Sequence, residues 1–348
     1  MLKRLDKKLE RIHASTATRR DFIIADAKDA DMAFGIAAPG PCRGRRAEQG
    51  NPATARPFGS LSDYLEQIRA VIRQDIVDIV LLSASNLERL AIEERLFSES
   101  GITPAARAND TTDVWAVRHG RYIQEPSREF RTATIDHIKY GHLEADHSKP
   151  PTGANLGLYS LTFTNRLETD YAALEAFCRF RIACEQKRFR YFLEVFNPNV
   201  DPGFAPQDVG GFVNDNIVRC LAGVTQSGRP LFLKIPYNGP EALEELVAYD
   251  NRLVVGILGG GSGTTRDAFQ LIHDAQKYGA KVALFGRKIN LSEHPTTFIK
   301  MLRAITDGDL GPEEAVRAYH GEMQALGIPP RCPLEDDQTL TDTTLSYT

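Results

Sequence analysis

What this sequence lacks narrows the reading quickly. No apolar run approaches the ~20 residues of a membrane span, and the first residues carry no apolar core of a signal peptide. Neither sign of charge dominates. The 42 Lys and Arg stand against 46 Asp and Glu, and a net charge of −4 gives no case for nucleic-acid or anionic-membrane binding. Cysteines number five, an odd count without close pairs, which argues against a disulfide framework and for a reducing compartment. A cytoplasmic protein is therefore expected. No Cys-x-x-Cys or His-Glu-x-x-His offers a metal site. His137, His142 and His147 recur every five residues, which scatters them around a helix, and they read as surface histidines. No Gly-x-Gly-x-x-Gly follows the first strand, and there is no Walker A loop.

What is present is an alternation of β and α. Leu2, Leu5, Leu9 and Ile12 at helical spacing predict an amphipathic helix within residues 1–18 that covers a core. A first strand, Phe22–Asp26, leads into a Gly- and Pro-rich loop from Gly35 to about Ser60 that carries Arg43, Arg45 and Arg46. Those arginines read as solvated charge, with a phosphate contact as the alternative. Seven further strands follow: Ile76–Ser83, Ile102–Asn109, Gly157–Phe163, Tyr191–Phe196, a sixth within Arg229–Gly239, Leu253–Gly259 and Lys281–Gly286. Helices are predicted over about 61–74, 86–99, 168–187, 210–226, 240–249, 264–279, 295–306 and 312–326. Eight βα units predict an α/β fold of the (β/α)8 TIM-barrel type, interrupted only by an insertion at about 110–153 between strands 3 and 4. A doubly wound sheet is the alternative. Residues 1–328 are read as one barrel domain, and 329–348, rich in Pro, Asp and Thr, as an extended or disordered tail.

Charged residues inside barrel strands carry the functional reading, because the site of such a barrel lies at the strand C-terminal ends. In Arg229-Pro-Leu-Phe-Leu-Lys-Ile-Pro-Tyr-Asn-Gly239, Lys234 alternates with Phe232. A lysine desolvated there tends to lose its proton and becomes a nucleophile toward carbonyls, although on the strand alone one that snorkels to the sheet rim or pairs with a carboxylate is the favoured reading. Glu194 alternates with Phe192 and Phe196, and Asp26 with Ile24. If all three point inward, two carboxylates meet one amine, as proton transfer in imine chemistry requires; a buried salt-bridge cluster is the alternative. Leu258-Gly-Gly-Gly-Ser-Gly-Thr-Thr265 then opens a helix, and Phe285-Gly-Arg-Lys-Ile289 follows one strand later. Backbone amides of Gly259, Gly260, Gly261 and Ser262, with Gly286 and Arg287, form a candidate phosphate site after strands 7 and 8.

Leu-Lys-Ile-Pro-Tyr-Asn-Gly on strand 6, Gly-Gly-Gly after strand 7 and Phe-Gly-Arg-Lys-Ile on strand 8 together resemble metal-independent class I aldolases. The likeness is to the archaeal-type fructose-bisphosphate, tagatose-bisphosphate and deoxyribose-phosphate aldolases. It is clearest over about 190–306 and weaker from strand 1 through strand 4. It implies a Schiff base on Lys234, a strand 1 aspartate at Asp26 with Asp29 and Asp31 as neighbouring registers, and phosphate held by Gly260, Gly261, Gly286 and Arg287. Where the archaeal-type enzymes place a strand 5 tyrosine, this chain has Phe196, and Glu194 fits the tagatose-type glutamate. The implied function is aldol cleavage or condensation of a phosphorylated ketose, with no cofactor, no metal and a homo-oligomeric assembly. A phosphosugar isomerase or metal-dependent lyase on the same barrel, or a barrel that binds a sugar phosphate without turning it over, are the alternatives.

Overall fold

The computed structural model describes residues 3–41, 57–143, 145–146, 148–260 and 263–345. Eight parallel strands form the barrel: β1 Ile23–Lys28, β2 Ile79–Leu82, β3 Thr103–Arg107, β4 Leu156–Thr162, β5 Arg190–Phe196, β6 Leu233–Lys234, β7 Gly256–Leu258 and β8 Val282–Phe285. The hydrogen-bonded order runs from β6 back through β1 to β8 and β7. Ile235 and Ile257 bridge in parallel between β6 and β7, where Ile235 N donates to Gly256 O at 3.0 Å, so the ring closes. This is the (β/α)8 barrel expected from the alternation.

Parallel barrel strands are buried on both sides, and the two layers are chemically distinct. Inside lie Ile23, Ala25, Ala27, Ile79, Leu81, Ala105, Leu158, Phe192, Phe232 and Leu284. Leu5 and Leu9 of helix Arg4–His13 join this set, so the amphipathic helix packs its apolar stripe against the barrel interior. Its Lys8 reaches a buried hub: Nζ donates to Phe22 O at 2.8 Å and to Asp78 Oδ2 at 2.9 Å, and Asp78 also takes Arg303 Nη2 at 2.8 Å. Outside lies the larger layer between strands and helices, including Ile24, Val80, Leu193, Leu233 and Ile257.

Three expectations change. The helix expected over about 86–99 is shorter: Ala84–Leu87 continues as a π-helical turn over Glu88–Glu93, and Arg95 takes a positive φ of 54°. The insertion contains an antiparallel pair of two-residue strands, Asp110–Thr111 and Glu129–Phe130, and helix Ile135–Tyr140, whose Ile135 and Ile138 enter the outer layer. The third unit therefore has a short helix after all. The tail beyond Ile328, as far as Leu345, is folded onto the barrel rather than loose. Helix Leu334–Asp337 is formed, Leu345 is buried, and Thr341 N donates to Asp267 Oδ1 at 2.8 Å. Polar composition hid this, because the tail docks through carboxylates and hydroxyls. The loop arginines Arg43, Arg45 and Arg46 lie outside the described residues, as does His147. His137 pairs with Thr134 at 2.8 Å and His142 Nδ1 donates to Tyr140 O at 2.9 Å.

Candidate active site

Strand register sets the centre of the site. Ser160 on β4 pairs with Glu194 on β5, and Glu194 pairs with Lys234 on β6, so one row of inward positions carries all three. Two residues below, Phe192 and Phe232 stack with centroids 4.6 Å apart and form an apolar floor. Lys234 Nζ contacts Glu194 Oε1 as a buried ion pair. Glu194 Oε2 accepts from Ser160 Oγ at 2.7 Å. Asn109 braces that serine, accepting from Ser160 N at 2.6 Å and donating to Ser160 O at 2.9 Å.

Arg107 is the residue that sequence reasoning passed over. It ends β3 in step with inward-facing Ala105. Nε donates to Asp29 Oδ2 at 2.5 Å, Nη1 to Ser160 Oγ at 3.0 Å, and Nη2 stands 3.5 Å from Glu194 Oε2. Burial opposes its charge, but Asp29, Glu194 and Asp110 raise its pKa above the ordinary arginine value. Nearby Asp110 lies 3.7 Å from Nη1. Burial pushes the Asp110 pKa up to about 7; Arg107 opposes this, and the charges of Asp29, Glu194 and Asp31 add to it. The signal for Arg107 was the one that flagged Glu194 and Lys234, a charge inside a barrel strand.

Asp26 is not part of this row, contrary to expectation. The inward face of β1 is Ile23, Ala25 and Ala27, so Asp26 turns with Ile24 toward the strand–helix layer. There it is fully buried, 3.0 Å from Lys28 Nζ, and Lys28 also donates to Asn290 Oδ1. Burial raises the Asp26 pKa against the pull of Lys28. The inward register continues past the strand end to Asp29, which is the strand 1 aspartate that faces the cavity. Asp31 bonds to Ser83 Oγ at 2.6 Å and Asn86 Nδ2 at 3.0 Å.

The cavity over this row is about 500 Å³. Its opposite sides are lined by Gly259, Gly260, Gly286 and Arg287, and by Val114, Ala116, Ile123 and Phe196. Gly260 takes a positive φ of 65°, and its carbonyl lies 3.4 Å from Arg287 Nη2, so the two predicted turns meet. Gly259 differs from its expected role. Its N–H donates to Leu284 O at 2.6 Å, and a Cβ there would come within 2.4 Å of the Phe285 ring, so its role is strand packing. Gly261 and Ser262 lie outside the described residues. The N-terminus of helix Thr265–Lys277 is also taken: Thr265 N donates to Asp337 Oδ1 at 2.7 Å, and Asp267 N to Thr264 Oγ1 at 3.1 Å. At this helix start the Asp337 carboxylate and the Thr264 hydroxyl hold amides that a phosphate was expected to meet.

No family model matches the sequence, and no curated protein matches it. Solved structures do match. An archaeal fructose 1,6-bisphosphate aldolase is 17% identical with a TM-score of 0.57, over 87% of this chain and 99% of that one. The fold is that of the archaeal fructose-bisphosphate aldolases. A Schiff-base-forming fructose-1,6-bisphosphate aldolase aligns equally well, at 17% identity, TM-score 0.57 and the same coverage of 87% and 99%. The fructose-bisphosphate aldolase from Slackia heliotrinireducens reaches a TM-score of 0.60 at 15% identity, over 91% of each chain. Among the described residues no cluster of three His, Cys, Asp or Glu is placed to hold a metal, and no helix is long and apolar enough to cross a membrane.

Proposed function

We propose that this protein is a Schiff-base aldolase that cleaves or forms a carbon–carbon bond in a phosphorylated ketose. The observation that carries the reading is Lys234, buried on the inner face of β6 above the Phe192–Phe232 floor and in contact with Glu194. The similarity to solved fructose-bisphosphate aldolases supports the same chemistry.

In this reading the Lys234 amine adds to the ketone carbon, and the carbinolamine loses water to give an iminium. A base takes the proton from the hydroxyl on the second carbon from the iminium, the bond between that carbon and the one next to the iminium breaks, and its electron pair enters the iminium to give an enamine. The aldehyde half leaves. Protonation of the enamine carbon and hydrolysis return the free amine and the second carbonyl product. Glu194 moves these protons in this reading; its contact with the amine and its bonds to Ser160 and Arg107 support the role. Asp29, held by Arg107, stands on the same cavity wall. Arg287 with the Gly260 and Gly286 turns holds the phosphate.

The test is reductive trapping. Protein incubated with phosphorylated ketoses and borohydride should gain the mass of one reduced substrate, and peptide mapping should place it on Lys234, with EDTA present. An adduct on Lys28 or Lys288, or none with any ketose phosphate, rejects the assignment.

A further inference from the structure

The cavity wall opposite Arg287 belongs to the insertion. In the eight-strand ring β7 and β8 lie across from β3 and β4, and the insertion joins those two. It presents Val114, Ala116 and Ile123 to the cavity, beside Phe196. This wall is clamped in place. Trp115 and Tyr122 stack at 4.4 Å, and Asn199 Nδ2 donates to Ile123 O at 3.1 Å and to Glu125 O at 2.7 Å. Asp113 accepts from Ser127 Oγ at 2.9 Å and from Thr162 Oγ1 at 2.7 Å, and it too lines the cavity.

Charge is therefore uneven across the site. Among the described residues that line it, the cations are Arg107, Lys234 and Arg287. Arg107 is engaged by Asp29 and Glu194, and Lys234 by Glu194. A phosphate at the insertion end would leave water for an apolar wall and a carboxylate, with no cation among the described lining residues to meet it.

We propose that the ligand carries a single phosphate, held at the Arg287 end, and that its far end is uncharged and rests on Val114, Ala116 and Ile123. This rests on the aldolase reading for its chemistry and separates this site from one built for a bisphosphate. In the condensation direction, the aldehyde partner is then unphosphorylated.

Two probes without a carbonyl test the ligand class apart from the chemistry. Calorimetry at fixed ionic strength should show hexitol 1-phosphate binding at least about tenfold tighter than hexitol 1,6-bisphosphate. Asp113→Asn and Ile123→Arg should each shrink that ratio, the second by on the order of tenfold or more. Equal or tighter binding of the bisphosphate by the unaltered protein overturns the proposal, as does failure of hexitol 1-phosphate to bind. A preference for the monophosphate without any borohydride adduct rejects the Schiff-base reading and upholds the single-phosphate site.

Discussion

Arg107 Nη2 stands 3.5 Å from Glu194 Oε2, the oxygen that Lys234 does not touch. The glutamate thus lies between two cations, and a third group, Ser160, donates to it. Loss of one cation leaves its charge partly matched.

Lys234→Met should therefore fold. It replaces an amine with an apolar chain of similar length over the two phenyl rings, and Glu194 keeps Arg107 and Ser160. The variant should lose all turnover and all borohydride adduct while keeping a cooperative thermal transition. Residual turnover of a ketose phosphate would remove Lys234 from the mechanism.

Arg107→Met should be the less stable protein. It strips Asp29 of its 2.5 Å partner and leaves two buried carboxylates facing one amine. A loss of about 3–5 kcal/mol is expected in denaturant unfolding. A loss under ~1 kcal/mol would mean that the cluster is more hydrated than its burial indicates.

Glu194→Gln keeps shape and removes the proton carrier. Turnover should fall on the order of 10²–10⁴-fold. Unchanged turnover would reduce Glu194 to a structural partner of Lys234.

Arg287→Ala should raise KM for a phosphorylated substrate far more than for its dephosphorylated analogue. Arg287 is exposed, and its Nη2 lies 3.4 Å from the Gly260 carbonyl. Equal losses on both substrates would remove the phosphate assignment.

Asp110→Asn should change the pH dependence of stability. With its pKa pushed up to about 7, folded Asp110 keeps a proton that an unfolded carboxyl releases near ~4. The folded state binds the extra proton between those values, so this group's contribution is full below pH ~4 and is lost as pH rises toward about 7. The amide variant lacks that loss. The unfolding free energy of Asp110→Asn relative to the unaltered protein, read by denaturant unfolding, should therefore climb between pH ~4 and ~8, toward a limit on the order of 4 kcal/mol. A constant difference across that range would show that the carboxyl is not protonated in the fold.

The sequence by itself determined the barrel and the Glu194–Lys234 centre. Eight apolar runs separated by helical periods admit few closed arrangements, and on β5 and β6 the charged residue follows an aromatic on the same face, Phe192 before Glu194 and Phe232 before Lys234. Only the tertiary structure decided β1. Ile23 and Ala25 on one face and Ile24 on the other are all apolar, because a barrel strand is buried on both sides, so alternation alone does not say which face looks inward. The choice turned Asp26 out and brought Asp29 in. The Arg107 network likewise joins residues from β3, β4 and β5 and the end of β1, 78 positions apart at Asp29 and 87 at Glu194. The tail's grip on Asp267 spans 74 positions. Those pairings depend on ring closure and side-chain reach, which no local pattern of residues encodes.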